Sequence, residues 1–363
     1  MKDVTQFNNK KFISPNFNKQ NTTEIKFLLN EPKENMNLSF KTEKTSITLI
    51  KKLSCTWRDV FEIKLDQSKE FIPGDSIGLI VPNNLQLVDD FFKYCNFKNQ
   101  PIFIKKNRRF VYEGNLFNFF YKYFDFKAMP KKAFLYFLSK ETNNFDLEFL
   151  SSKEGEKEYF NILENKMNLL EIFKKYKIKP SLEILIEYGE IIKPRYFSLI
   201  NKECDNFTII AGLMKDGHFS NFIVSLHEKY ENISFDFLVK ENRLLRLKSK
   251  EKVLCISAGT GITPFLSFAN VNKHIWLIYG CRNKEDDLSI LGKFAKKDVA
   301  FSSLQKRIFD ILEEKIDEVK YYLTNYEVYI CASLQLQKKI TDFLKKNISE
   351  NLNEFKIYFD DWS

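Results

Sequence analysis

The stretch KVLCISAGTGITPFLSF, residues 252–268, constrains this chain more than any other. KVLCIS is a short, continuously apolar run and reads as a buried strand. The glycines of AGTG impose a turn, and Pro264 suits the first turn of a helix starting near Ile262. HIWLIYGC and YEVYICAS read as further apolar strands, LGKFAKK and LQKKITDFLKKN as amphipathic helical stretches, and FKIYFDD as a last strand. Strands alternating with helices imply a parallel sheet with a ligand crevice at the strands' carboxyl ends. The turn after KVLCIS exposes backbone N–H groups at a helix start, which suits a phosphate. Gly259 and Gly261 let the backbone approach closely, and Thr260 offers a hydroxyl. A plain strand-to-helix turn explains the same pattern equally well.

The rest of the chain has a different character. Residues 1–44 are polar and Asn-rich and are expected to be largely irregular. From Thr45, SITLIKKLS, VFEIKLDQ and DSIGLIVP are β-rich runs split by the turn signal IPGD, the beginning of an antiparallel barrel. Residues 87–188 space their apolar residues at three and four, as in LVDDFFKYCNF and KKAFLYFLSK, which predicts helices. Strand signals return in KPRYFSLIN, NFTIIAGLM and ISFDFLVK. The expected organisation is therefore a leader (1–44), a discontinuous β-barrel (45–86 and 189–247), a helical insertion (87–188) and an α/β domain (248–363). The fold class is α+β and α/β.

Composition narrows the function. The 363 residues suffice for two or three domains, and 44% hydrophobic content supports real cores. The net charge of +9 is scattered, with short runs such as KKNRR from Lys105 to Arg109. No basic tail or aromatic-basic repeat points to nucleic acid. A solvated surface accounts for the charge, with attraction to an acidic partner or phosphorylated ligands as the alternative. Six cysteines lie far apart without a C-x-x-C pair, and no apolar leader begins the chain, so a reducing cytoplasm is expected. Three histidines without ligand spacing make no metal site. No run reaches the roughly 20 apolar residues that span a bilayer.

Four more segments could carry chemistry. In KPRYFSLI, Arg195 could pair with a diphosphate while an aromatic ring and a hydroxyl face a planar ligand; an ordinary amphipathic strand explains it too. GHFSNFI resembles an N-capped helix start, with Ser220 or Asn221 as the cap. VYICAS puts Cys331 at a strand's carboxyl end, either as core or against a bound ring. Asp360, Asp361, Trp362 and Ser363 follow the final strand and land at the same crevice.

In their order, PRYFSL, GHFSN, GTGITPF, YGCR, AFS, YIC and a terminal DDWS resemble the FAD/NADPH half of the diflavin reductases, from about Thr45 to Ser363. That resemblance implies a ferredoxin-NADP reductase-like fold, with an FAD-binding antiparallel barrel, a helical connecting insertion and an NADP-binding α/β domain. Arg195, Tyr196, Phe197 and Ser198 fall on the family's Arg-x-Tyr-Ser flavin motif. It implies that Arg195 holds the FAD diphosphate, Phe197 stacks on the isoalloxazine and Ser198 hydrogen-bonds near its reactive nitrogen. Gly217, Ser220 and Asn221 match a second FAD diphosphate site. Gly259, Thr260 and Gly261 would cradle the NADPH diphosphate with Arg282 nearby. Ser198, Cys331 and Asp360 match the hydride-transfer trio, and Trp362 would cover the flavin face as a movable lid.

Several positions depart from the family pattern. Phe197 replaces a tyrosine, Ser257-Ala258 replace Gly-Pro, and Ala332-Ser333 replace Gly-Asp. Ser303 stands where an arginine binds the 2′-phosphate, which leaves Ser302 with Lys306 or Arg307 to supply that site. About 44 residues precede the barrel, against roughly 150 for an FMN domain, and no membrane anchor is seen. The resemblance thus implies an FAD-dependent NADPH oxidoreductase that serves a separate acceptor: an FMN/flavodoxin-like chain, an Fe-S protein or a haem protein. The alternative is a degenerate, non-catalytic reductase that scaffolds electron-transfer partners. It is favoured by Ser303 and by the absent FMN domain, and opposed by Ser198, Cys331, Asp360 and Trp362. A stand-alone ferredoxin-type reductase is opposed by the helical insertion.

Overall fold

The computed structural model describes residues 22–360 apart from 55, 57, 202–204 and 230–232. The chain divides into two compact units, one of Met1–Lys41 with Ile80–Lys193 and one of Thr42–Leu79 with Pro194–Ser363.

The first unit combines helices with a four-stranded antiparallel sheet, ordered Thr23–Phe27, Pro101–Lys106, Arg109–Asn115, Asn35–Met36. This corrects two expectations. The described part of the leader, residues 22–44, is not wholly irregular: it supplies Thr23–Phe27 and Asn35–Met36, and begins the strand Glu43–Thr45 of the other unit. The stretch 87–188 is not purely helical, because KKNRR closes a β-hairpin. Asn107 and Arg108 sit there at φ of 53° and 64°, the left-handed geometry of a two-residue hairpin turn. Neither strand has a strong local signal, since TEIKF finds its partner some 80 residues away.

The helices of this unit start where the sequence caps them. Asn84 accepts from the Leu87 N–H, Ser181 from the Ile184 N–H, and Asn168 with Glu171 forms a capping box. Their apolar stripes bury much of the chain's phenylalanine in one core. Phe91 lies 5.1 Å from Phe120 and 4.9 Å from Phe126 by ring centroids.

The second unit holds two antiparallel sheets and one parallel sheet. The three-stranded sheet runs Thr208–Gly212, Val60–Leu65, Ile47–Ser54; the four-stranded one runs Glu43–Thr45, Phe235–Lys240, Ser76–Ile80, Arg195–Ser198. The five-stranded parallel sheet is ordered Lys296–Phe301, Ile275–Cys281, Val253–Ala258, Glu327–Cys331, Ile357–Phe359. Alternate residues of its central strands enter two different cores. Cys255, Leu277 and Tyr329 point to one face; Leu254, Ile256, Trp276, Ile278, Val328 and Ile330 point to the other. Burial on both faces is why these strands read as unbroken apolar runs. LGKFAKK differs from its helical expectation: it leads directly into the strand Lys296–Phe301, which pairs with Ile275–Cys281. Among the described residues no helix is long and apolar enough to cross a membrane, and no cluster of side chains could hold a metal ion.

Candidate functional site

From Val253–Ala258 the chain builds outward through Ile275–Cys281 to Lys296–Phe301, then returns to place Glu327–Cys331 on the opposite side of Val253–Ala258. The order reverses between those two strands, and a crevice opens at their carboxyl ends. Several residues expected on the dinucleotide side lie at this edge of the sheet. In spatial order it carries Ser302, then Arg282, then Gly259–Gly261, then Cys331, then Asp360. At about 4.8 Å per strand the row spans roughly 19 Å.

The turn Gly259–Ile262 is a single 3-10 turn leading into the helix Thr263–Val271. Gly259 has φ of 54°, which a side chain disfavours, and its carbonyl accepts from the Tyr279 hydroxyl at 3.0 Å. Gly261 is glycine for a different reason. A Cβ there would lie 2.4 Å from the Cys331 carbonyl oxygen, so the turn packs directly against the neighbouring strand end.

At one end of the row, Ser303 N–H donates to the Arg282 carbonyl at 3.0 Å, which joins two strand ends. Arg282, Ser302 and Arg307 are exposed. Lys306 is engaged by Glu314 at 3.0 Å. At the other end, Cys331 is fully buried, and its thiol donates to Asp360 Oδ2 at 3.2 Å. Asp360 is 3% exposed; its backbone N–H donates to the Ile330 carbonyl and its carbonyl accepts from Gln337 Nε2.

The flavin-motif residues occupy the strand Arg195–Ser198, antiparallel to Ser76–Ile80, with Ser198 opposite Ser76. Ser198 is 2% exposed, and its hydroxyl has no hydrogen-bond partner. A buried hydroxyl without a partner costs free energy unless a ligand satisfies it. Tyr196 lies over Gly78, beneath the Lys240 ammonium. Phe197 packs on Phe219 with centroids 4.6 Å apart, which brings the motif strand to the start of the helix His218–Lys229. That start carries Gly217, Ser220 and Asn221. The Ser220 hydroxyl accepts from the Met214 N–H at 2.8 Å and closes the turn before the helix, while Asn221 is exposed.

Sequence reasoning missed Arg58. Its Nε donates to the Leu213 carbonyl at 2.9 Å, and a second guanidinium nitrogen donates to the Gly212 carbonyl. Burial, and then the nearby Arg195, push its pKa below the ordinary guanidinium value. Its partners lie about 155 residues away, so no local pattern marks it.

A second missed group is the turn after Phe235–Lys240. Arg246 forks onto Asp75 at 2.7 and 2.8 Å, and Asp75 Oδ1 also accepts from the Asn242 N–H at 2.9 Å. The Leu199 N–H donates to the Asp75 carbonyl, and Asn242 Nδ2 donates to Asp360. One chain of bonds thus runs from the residue after Ser198 to Cys331. Trp362, Asp361 and Ser363 lie outside the described residues.

The orphaned Ser198 hydroxyl and the glycine turn at the strands' carboxyl ends are compatible with a flavin dinucleotide and a nicotinamide dinucleotide. Comparison with known proteins agrees. Residues 31–205 match the FAD binding domain family. The chain is 24% identical over 263 residues to the NADPH-dependent diflavin oxidoreductase 1 of Debaryomyces hansenii, covering 61% of this chain and 43% of that protein. It is 23% identical over 335 residues to the sulfite reductase [NADPH] flavoprotein alpha-component of Buchnera aphidicola, covering 82% and 54%. Against the NADPH–cytochrome P450 reductase of Musca domestica the figures are 24% over 266 residues, with 62% and 40% covered. A solved ferredoxin-NADP+ reductase of Plasmodium falciparum aligns over 87% of this chain and 95% of that one, at 13% identity and a TM-score of 0.47. The chain spans about half the length of the curated relatives it matches. Residues 31–205 thus match the FAD binding domain family, and the chain is similar to diflavin reductases and a sulfite reductase flavoprotein over about half their length.

Proposed function

We propose that this chain is an NADPH-dependent flavoprotein oxidoreductase that passes electrons through FAD to a separate redox protein. The observation that carries this reading is the Cys331–Asp360 pair at the switch point of the parallel sheet, linked through Asn242 and Asp75 to the strand that bears the unsatisfied Ser198 hydroxyl. When bound, FAD accepts a hydride equivalent from NADPH and releases its electrons one at a time.

The chain's own groups bind and orient. Arg195 would neutralise a diphosphate, and Phe197 with Phe219 would offer an aromatic surface to a flat ring. Gly217, Ser220 and Asn221 would add a second diphosphate contact, as the family resemblance implies. The backbone of Gly259, Thr260 and Gly261 would hold the NADPH diphosphate, with Arg282, Ser302, Lys306 and Arg307 at its adenosine end. Cys331 and Asp360 would face the nicotinamide, where a carboxylate favours the positive charge that grows as hydride leaves. Trp362 would cover the flavin. The acceptor is a protein carrying FMN, an iron–sulfur centre or haem, and a reducing cytoplasm suits the four described cysteines, which are all buried.

Turnover of NADPH with ferricyanide tests the proposal. FAD-loaded protein should reduce ferricyanide with saturable dependence on NADPH. Loaded protein without turnover would instead support a non-catalytic scaffold.

A further inference from the structure

We infer that Asn242 is a positioning residue for the Asp360 carboxylate, holding it in register with the Cys331 thiol; this rests on the reading of Cys331 and Asp360 as the nicotinamide-side pair. The Asp360 carboxylate is buried, so each oxygen needs a donor. Cys331 Sγ supplies one to Oδ2 at 3.2 Å, and Asn242 Nδ2 supplies one to Oδ1 at 2.8 Å. Of these two donors the amide is the shorter and stronger, so it orients Oδ1.

Asn242 is itself held on every side. Its N–H donates to Asp75 Oδ1 at 2.9 Å, and its carbonyl accepts from Leu245 and Arg246 N–H at 3.0 and 2.9 Å. Its Oδ1 accepts from the Leu245 N–H at 3.2 Å, which fixes which end of the amide faces Asp360. Asp75 is anchored in turn by the Arg246 fork. The donor is therefore presented by a turn pinned to the antiparallel sheet, while the Cys331 thiol is presented by the parallel sheet. Asp360 joins them, and a carboxylate fixed between two sheets is preorganised for the charge it must meet.

Asn242→Asp separates this role from a merely structural one. The aspartate retains an oxygen for the Leu245 N–H and keeps the turn, but sets a carboxylate oxygen against Asp360 Oδ1. Two measurements are made. In the protein without added NADPH, amide exchange of the segment covering 356–360 should rise by about tenfold or more, with Val253–Ala258 unchanged. In single turnover, FAD reduction at saturating NADPH should slow about ten- to hundredfold, the span carried by a hydrogen bond to a charged group. The isotope effect with deuterated NADPH should grow, while FAD content and 2′,5′-ADP affinity hold within about twofold. Asn242→Ala should show the same direction, and stands in if the aspartate variant does not fold. Wild-type exchange and wild-type reduction in Asn242→Asp overturn the inference, as does slowing in Asn242→Ala alone, which would leave only the turn-capping role. Asp360→Asn and Cys331→Ala are the controls. If both reduce FAD at the wild-type rate, the reading of that pair fails, and the exchange result still decides whether Asn242 holds Asp360.

Discussion

At Gly261 a methyl group would meet the Cys331 carbonyl oxygen at 2.4 Å, while at Gly259 the space is open and only the φ of 54° resists a side chain. The two glycines of one motif should therefore fail differently. Gly259→Ala should cost about 1 kcal/mol of stability with modest change in binding. Gly261→Ala forces the turn away from the strand end and should weaken 2′,5′-ADP binding by about tenfold or more, read by calorimetry, with FAD retained. On the flavin side, Arg195→Ala should weaken FAD by roughly ten- to hundredfold, since it removes a charged donor; gel filtration of loaded protein reads the loss. Gly259, Gly261, Cys331 and the Arg195–Ser198 strand were legible because their chemistry sits inside a few consecutive residues. Arg58 and Asn242 were not, because each acquires its role from a partner more than 100 residues away.

Between elements, Asp286 is the strut to test. Its carboxylate accepts from Ser54, the last residue of the strand Ile47–Ser54, from Thr56 just beyond it, and from Asn283 beside Arg282. It ties the segment leading to Arg58 to the loop that carries Arg282. Burial alone would raise its pKa, but the hydrogen bonds together pull it below the ordinary carboxylate value. A group depressed on folding stabilises the protein above its unfolded value of about 3.9, and that stability is lost as pH falls through the folded value. Asp286→Asn should thus lower the melting temperature at pH 6, and the gap to wild type should close as pH drops below about 4. A gap constant across that range would contradict the strut. The parallel sheet was readable from its unbroken apolar runs. The hairpin Pro101–Asn115 was not, because its tip KKNRR reads as surface charge, and the strand Thr23–Phe27 hides in an Asn-rich stretch until its partner is known.

Across the whole molecule, one sheet brings Ser302, Arg282, Gly259–Gly261, Cys331 and Asp360 to the ends of its five strands, and a hydrogen-bonded path runs from Asp360 to Leu199, beside a buried serine hydroxyl without a partner. The matching relatives are NADPH-dependent flavoproteins, and residues 31–205 match the FAD binding domain family. The most direct test is an anaerobic titration of the purified, FAD-loaded chain with NADPH, followed by flavin absorbance. One equivalent of NADPH should bleach the bound flavin, and Cys331→Ala should retain its FAD yet bleach at least about tenfold more slowly. A chain that holds FAD but stays yellow under excess NADPH, or a Cys331→Ala variant that bleaches at the wild-type rate, would contradict the account.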